Sequence, residues 1–548
     1  MSTDTQIDDY PKADAGNASE SGPGPKMRQP YRVPDGVVRS GAPLPIPPGR
    51  REEKYCYVGR RMWILTLGSM ISFPALVISQ VAFIHLSPRL MLIMPFVAFT
   101  IFYYLVSLSV NAFSKEFDLD KHIALVAGWQ PEKYPSVDVM LPVCGEPLEI
   151  LHNTWRYVEA MLAHYPGEGR AYVLDDSGKP EVVALAAEFG FFCGTRENRG
   201  WFKKAGNLHY GLAQSSGEFA LILDADFVPR YDMLDETLPY FIEDPKLGIL
   251  QTPQFFRVIP GQTWVERGAG AVQELFYRVV QVSRQSRGGA ICVGTNAMYR
   301  RAALDENGGT TLIEHSEDVH TGFDLRRLGW SLRYIPIALA AGICPEEIEP
   351  FYSQQYRWCS GSMSLLGSSK FWKMKMRPVT RLCYISGFFY YIHTALSTFF
   401  APLIPIILCA FLPDHVKIVN YLLILPSLLY TMVIFPLWHR SPYRLSAWAV
   451  KMVYAWAHFF AIWDIFRGTP MGWQPTGAVI KKRKTRRLWT GVAIWGGGTA
   501  LAWMGLAAYR MWTMNAPDFT LVFLTGVFYT LVVGRVLTVK LGKEERAR

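Results

Sequence analysis

Charge is scarce in this 548-residue sequence: Asp, Glu, Lys and Arg make up 19% of it, against 50% hydrophobic residues. So little charge on so long a chain argues against a soluble enzyme throughout and points to segments that never meet water. Cysteine is thin as well. The eight are scattered singly, with no CxxC pair and no His/Cys spacing of the zinc type, which excludes a disulfide framework and a zinc site. The first fifty residues lack any apolar stretch and are rich in Pro, Gly, Ser and charge. That excludes a signal peptide, and a disordered tail over 1–55 is expected. The net charge of +10 does not imply nucleic acid, because the basic residues gather partly in short clusters beside apolar runs.

Those runs are the first positive feature. They lie near 62–86, 90–110, 382–412, 418–438, 488–509 and 519–537, and each approaches the roughly 20 helical residues needed to cross a bilayer. Basic residues precede the first (Arg50, Arg51, Arg60, Arg61), the third (Arg377, Arg381) and the fifth (Lys481 to Arg487). This pattern places both termini and the long middle on the cytoplasmic side of a plasma or bacterial inner membrane. A further apolar stretch, 445–466, carries Lys451, His458 and Asp464 and reads as an amphipathic helix lying at the interface. The expected layout is two spans in 56–113, a cytoplasmic domain over 114–376, two spans in 377–440, the interfacial helix and a loop over 441–487, and two spans with a short tail over 488–548.

Between Asp118 and Met376 the pattern changes to short apolar runs alternating with helix-like stretches, an α/β domain with a Rossmann-like sheet. The runs 137–143, 170–177, 219–227 and 247–253 read as buried parallel strands that end in polar or acidic residues. Ligands of open α/β sheets bind beyond the carboxyl ends of the strands, so these tips share one crevice.

Asp224 and Asp226 end the third of these strands with both carboxylates on one side, an arrangement suited to Mg2+ or Mn2+ shared with a nucleotide diphosphate. A solvated turn is the plainer alternative. Asp175 and Asp176 end another strand and are placed to accept hydrogen bonds from a nucleotide's base or ribose, or else to close a turn with Ser177. Lys204, beside Lys203, is within reach of phosphate, unless the two form a solvated basic pair. Glu317 and Asp318 follow Ser316 at a helix start, where a cap and a general base are both open to Asp318. Gln354, Gln355, Arg357 and Trp358 combine amides, a guanidinium and an indole ahead of the third apolar run. Trp358 suits stacking on a sugar face and Arg357 suits diphosphate, although an RW pair also anchors helices at membrane surfaces.

Taken in order, LDDS, DAD, QTPQFF, the Glu-Asp of HSEDVHTG and QQYRW resemble the D, DxD, (T)ED, Q(Q/R)xRW signature of processive family 2 glycosyltransferases of the cellulose synthase type. The resemblance covers roughly residues 60–480. It implies a nucleotide-sugar glycosyltransferase domain with a mixed, Rossmann-like sheet inserted between transmembrane helices. It also implies a UDP-sugar donor, a growing polysaccharide acceptor, a lipid bilayer, and Mg2+ or Mn2+ on Asp224 and Asp226. Asp318 would then be the base, assisted by Glu317. A gating loop is implied at 468–477, with Trp473 and Thr476 toward the substrate. The family resemblance favours UDP-glucose and a β-linked polymer passed across the membrane. Hyaluronan-like and chitin-like synthases share this core, and a non-processive transferase acting on a lipid carrier has a similar DxD domain. A transporter would show broken helices in paired halves, which are not apparent. Bacterial cellulose synthases carry FFCGS where this chain has Ile291 to Asn296, and FxVTxK in the gating loop, which is absent here. About ten residues follow the last run, so no cyclic di-GMP-binding barrel is expected there. The sequence identifies no accessory export subunit.

Overall fold

In the computed structural model, which describes residues 27–30, 44–59, 61–112, 114–471 and 482–538, the chain divides into two units. The first comprises Met1–Gly59, Glu116–Arg257 and Ile291–Ile343, and the second Arg60–Lys115, Val258–Ala290 and Cys344–Arg548. The first is built on β1 (Val137–Val143), β2 (Gly169–Asp175), β3 (Phe192–Gly194), β4 (Phe219–Ile222), β5 (Val228–Pro229), β6 (Leu247–Gln251), β7 (Ala297–Arg300), β8 (Ser331–Tyr334) and β9 (Ala340–Ala341). Seven of these form one sheet in the order β3-β2-β1-β4-β7-β6-β8, and β5 pairs with β9.

Strands β1 to β4 are mutually parallel, β7 is antiparallel to both β4 and β6, and β6 is parallel to β8. One strand is therefore reversed, and the reversal matters for function. Ile222, the last residue of β4, pairs with Ala297, the first of β7. The loop entering β7 thus arrives at the same sheet edge as the loop leaving β4. Helices cover the sheet, and Val139, Leu141, Val173, Leu221 and Leu250 are sealed against Trp155, Val158 and Met161 of helix Leu148–His164 and their neighbours. Continuous apolar runs are what strands buried on both faces require.

The expected disordered tail over 1–55 needs correction in its last part. Pro45, Pro47 and Pro48 are buried against the first unit. Proline has no N–H, so such a segment cannot form its own ladder and its carbonyls look outward for donors. Asn153 donates to Pro45 O at 2.9 Å, Arg257 to Ile46 O at 3.0 Å and Pro47 O at 3.2 Å, and Arg230 to Pro48 O. Helix Arg51–Lys54 follows, with Glu53 on Arg257 at 2.7 Å and Lys54 between Asp232 and Glu236.

Among the described residues of the second unit six helices are long and apolar enough to cross a membrane: Met62–His85, Pro88–Asn111, Pro378–Phe411, Leu445–Phe466, Thr485–Thr513 and Ala516–Leu537. The number matches expectation and one member differs. The run 418–438 is helical in pieces, and only Leu425–Trp438 is a continuous apolar stretch. It nevertheless lies antiparallel along Met62–His85: Ser427 donates to Ser72 O, Tyr430 meets Ser69, and Trp438 packs on Leu65 and Met62. Leu445–Phe466 keeps its polar residues inside the unit, against helices Trp264–Leu275 and Ile348–Leu366.

Candidate active site

β4 gives way to Leu223, whose N–H still bonds Met140 O of β1, and then to Asp224-Ala225-Asp226. Ala225 points into the core, with its carbonyl accepting from Thr154 at 2.7 Å. The turn is closed by Phe227 N–H on Asp224 O at 3.0 Å. Burying the middle residue is what turns both acidic neighbours to the crevice side. Opposite them runs the loop into β7. Asp224 N–H donates to Thr295 Oγ1 at 2.9 Å, and Lys204 Nζ bridges the Asp224 carboxylate and Gly294 O, the latter at 2.6 Å.

The QTPQ stretch holds that loop. Gln251 accepts from Val293 N–H and donates to Thr295 O, both at 2.8 Å, while Gln254 donates to Val293 O at 3.2 Å. Gly294 is in the left-handed region at φ 83°, and a Cβ there would come within 2.8 Å of Asp318 Oδ2. The residue is glycine for both reasons. It lets Asp318 approach the loop that Lys204 ties to Asp224.

The electrostatics of this crevice are lopsided. Burial, then the Asp224 and Glu146 carboxylates, push Asp226 up to about 7. Burial raises Glu146 too, with Asp224 and Asp175 adding to it. Asp318 is pushed up to about 8 by burial and then by Glu317, against the opposing Val319 N–H, which it accepts at 2.8 Å, and Lys204. Burial alone would lower Lys204, but Asp224, Glu317 and Asp318 raise it instead. Four carboxylates, Asp224, Asp226, Glu317 and Asp318, gathered about one lysine form an arrangement that a hard cation relieves. The donor set fits: Asp224 and Asp226 offer oxygen ligands, as Mg2+ and Mn2+ prefer. Among the described residues no three His, Cys, Asp or Glu side chains close round a metal alone. Diphosphate oxygens would complete the shell, the usual habit of Mg2+ in phosphate sites.

Other expected residues are placed differently. Asp175 is fully buried, and its carboxylate is occupied by Ser177 N–H, Ser177 Oγ and Gly178 N–H at 2.5 to 3.0 Å. Asp175, rather than the Asp176 expected to cap with Ser177, is the turn-closing acid. Asp176 forms a two-pronged pair with Arg196 at 2.7 and 2.6 Å, and Arg196 also braces Trp201 O and Lys203 O ahead of Lys204. Ser316 makes no capping bond through its side chain, so the helix Glu317–Arg327 starts on acids alone. Sequence reasoning missed Glu146, Arg196 and the clamping role of Gln251 and Gln254. QTPQFF was noticed as wording, which was the available signal.

In the second unit, helix Ile348–Leu366 separates the QQYRW residues by face. Gln354, Arg357 and Trp358, three and four apart, are half-buried together, whereas Gln355, Tyr356 and Cys359 are buried. Tyr356 Oη donates to Asp464 at 2.9 Å and accepts from Met471 N–H at 2.9 Å, and Arg487 grips Asp464 with two bonds of 2.7 Å. Trp473 and Thr476 lie outside the described residues. Deeper among the helices is a polar aromatic wall: Tyr103 stacks on His393, Tyr391 bonds Ser362, and Thr394 bonds His458.

A family model described as Glycosyl transferase family group 2 matches residues 219–536. Cellulose synthase 1 of Komagataeibacter xylinus is 34% identical over 268 residues, 47% of this chain and 17% of that protein. The UDP-forming cellulose synthase catalytic subunit of Pseudomonas fluorescens is 32% identical over 285 residues, 48% of this chain and 36% of that protein. The match thus spans little more than a third, or less, of these curated relatives. Among solved structures, a mannosyltransferase from Pyrobaculum calidifontis in complex with GDP-Man and Mn2+ is similar at a TM-score of 0.47 and 15% identity, covering 67% of this chain and 98% of that one.

Proposed function

Because the chain belongs to glycosyl transferase family group 2, we propose that it is a processive, inverting hexosyltransferase that polymerises UDP-glucose into a β-linked glucan and passes the polymer across the membrane. The observation that carries the reading is the crevice of Asp224, Asp226, Lys204 and Asp318 in a chain whose other unit is apolar helices with a polar aromatic interior. The acceptor hydroxyl attacks the donor's C1 as the bond from C1 to the diphosphate oxygen breaks. Its proton passes to Asp318, and UDP leaves with the bonding electrons. One displacement inverts the anomeric centre, so an α-linked donor gives a β-linked product. A divalent cation held by Asp224 and Asp226 would supply charge stabilisation to the departing diphosphate. Lys204, already poised at Asp224, adds a fixed positive charge on the same side. Asp176 and Arg196 shape the nucleotide end of the crevice, and Glu317 tunes Asp318.

Trp358 offers its ring to the acceptor sugar, with Gln354 and Arg357 on the same helix face. The relatives named as UDP-forming cellulose synthases favour UDP-glucose over other UDP-sugars. Catalytic unit and termini are proposed to be cytoplasmic, in keeping with the basic clusters.

Asp224→Asn, or wild-type protein treated with EDTA, is expected to lose UDP release from UDP-glucose by at least about a hundredfold, since an amide is a weak ligand for a hard cation. Full turnover under both treatments overturns the metal-assisted reading.

A further inference from the structure

Arg284, in helix Gln281–Ser286 of the second unit, is 5% exposed. A Cβ at Gly387 would come within 2.5 Å of its Nη2, so the guanidinium rests on a bare patch of helix Pro378–Phe411. Its Nε has no hydrogen-bond partner among the described residues. The titratable groups acting on it most strongly are Cys383, Tyr391, Tyr384 and Tyr103: a thiol and three phenols.

Two turns earlier the same stretch shows how this fold treats a structural arginine. Arg278, equally buried, pairs with Glu274 at 2.8 Å and donates to Trp438 O at 3.1 Å. Leaving a buried charge without such a partner costs several kcal/mol. An intramembrane or membrane-adjacent arginine kept at that cost marks a path for something that completes it.

The surroundings say what completes it. Tyr391 bonds Ser362, which lies one turn, about 6 Å, beyond Trp358 on helix Ile348–Leu366. Tyr103 continues through its stack on His393 at 4.7 Å. Arg284 therefore stands where the acceptor-stacking indole gives way to a wall of rings and hydroxyls. A ligand that stacks on rings and presents many neutral oxygens is a glycan. Five guanidinium donors suit it without demanding an anion.

We propose that Arg284 is a binding residue for the nascent glycan, donating hydrogen bonds to its hydroxyl oxygens beyond Trp358. This rests on the polymerase reading above, and the test separates the two. Binding of cellohexaose to the detergent-purified full chain is followed by tryptophan fluorescence, beside UDP binding by calorimetry. Arg284→Met is expected to weaken cellohexaose binding roughly ten- to a hundredfold, the loss of a charged hydrogen bond or two. Arg284→Lys should fall between, with UDP affinity unchanged in both. Product chains made from UDP-glucose should shorten in the same order. Cellohexaose binding that is absent in wild type or equal in Arg284→Met overturns the proposal. So does equal loss of folded protein in the Met, Gln and Lys variants, which makes the guanidinium a brace. If Arg284 governs cellohexaose binding while wild type makes no polymer, the site stands and the polymerase reading falls.

Discussion

Asp318 accepts one backbone N–H, that of Val319, and a side chain with only that task contributes about 1 kcal/mol of stability. A general base is worth roughly a hundred- to ten-thousandfold in rate. Asp318→Asn keeps the size and the acceptor, so a folded, UDP-binding protein with turnover reduced by at least a hundredfold is expected. Retention of most of the turnover in monodisperse protein reassigns the proton. The pH profile gives an independent sign. A base works deprotonated, so kcat/KM falls as pH drops through its pKa. Burial and Glu317 raise that pKa to about 8, and Glu317→Gln is expected to move the acidic limb to lower pH; a limb that moves upward or stays contradicts the pairing. Asp224 and Asp226 were readable because strands that end in paired carboxylates form a pattern, and Glu317 and Asp318 because an acidic pair at a helix start does. Glu146 and Arg196 were not, since a lone acid or arginine means something only once the fold brings it beside Asp224 or Asp176.

At the scale of elements, the long apolar strands were legible for the same reason they are buried, whereas β7 was not. It is four residues long, and its value lies in running backwards so that Val293 to Asn296 reach the crevice. The proline segment was misread because composition reports low hydrophobicity and cannot report three side chains waiting to cap its carbonyls. Deleting residues 1–43 removes the half-exposed Arg28–Glu159 pair, of a kind that contributes little, and should lower thermal stability only slightly. Deleting 1–50 strips the acceptors from Asn153, Arg230 and Arg257, each worth about 1–3 kcal/mol if left unsatisfied, and the full membrane protein should melt several degrees lower. Equal melting of both truncations removes the strap from the fold. The Asp464 node makes a further claim. Lys451, His458 and Asp464 suggested an outward polar face, but Asp464 instead ties Tyr356 to Arg487. Asp464→Asn should lower kcat more than it raises the donor KM, because it loosens the helix that carries Trp358 and leaves the nucleotide crevice alone. Asp464→Glu should recover part of the loss. A change confined to donor KM contradicts this.

The whole molecule joins two kinds of chemistry that its composition already separated: a charged α/β unit, proposed to handle a nucleotide sugar, and an apolar unit whose interior is lined with Tyr, His and Trp. A single-sugar transferase needs the first alone. A processive synthase needs both, since each addition must be followed by movement of a chain that stays bound. The direct measurement is therefore product size at limiting turnover. Purified protein in lipid vesicles is given Mg2+, a cello-oligosaccharide acceptor and radiolabelled UDP-glucose, and the reaction is stopped when only a small fraction of enzyme molecules has started a chain. Long β-linked polymer alongside unused acceptor, digested by a β-glucanase, is the predicted result. A ladder of products each one sugar longer than the acceptor, or glucose on a lipid carrier, would contradict it.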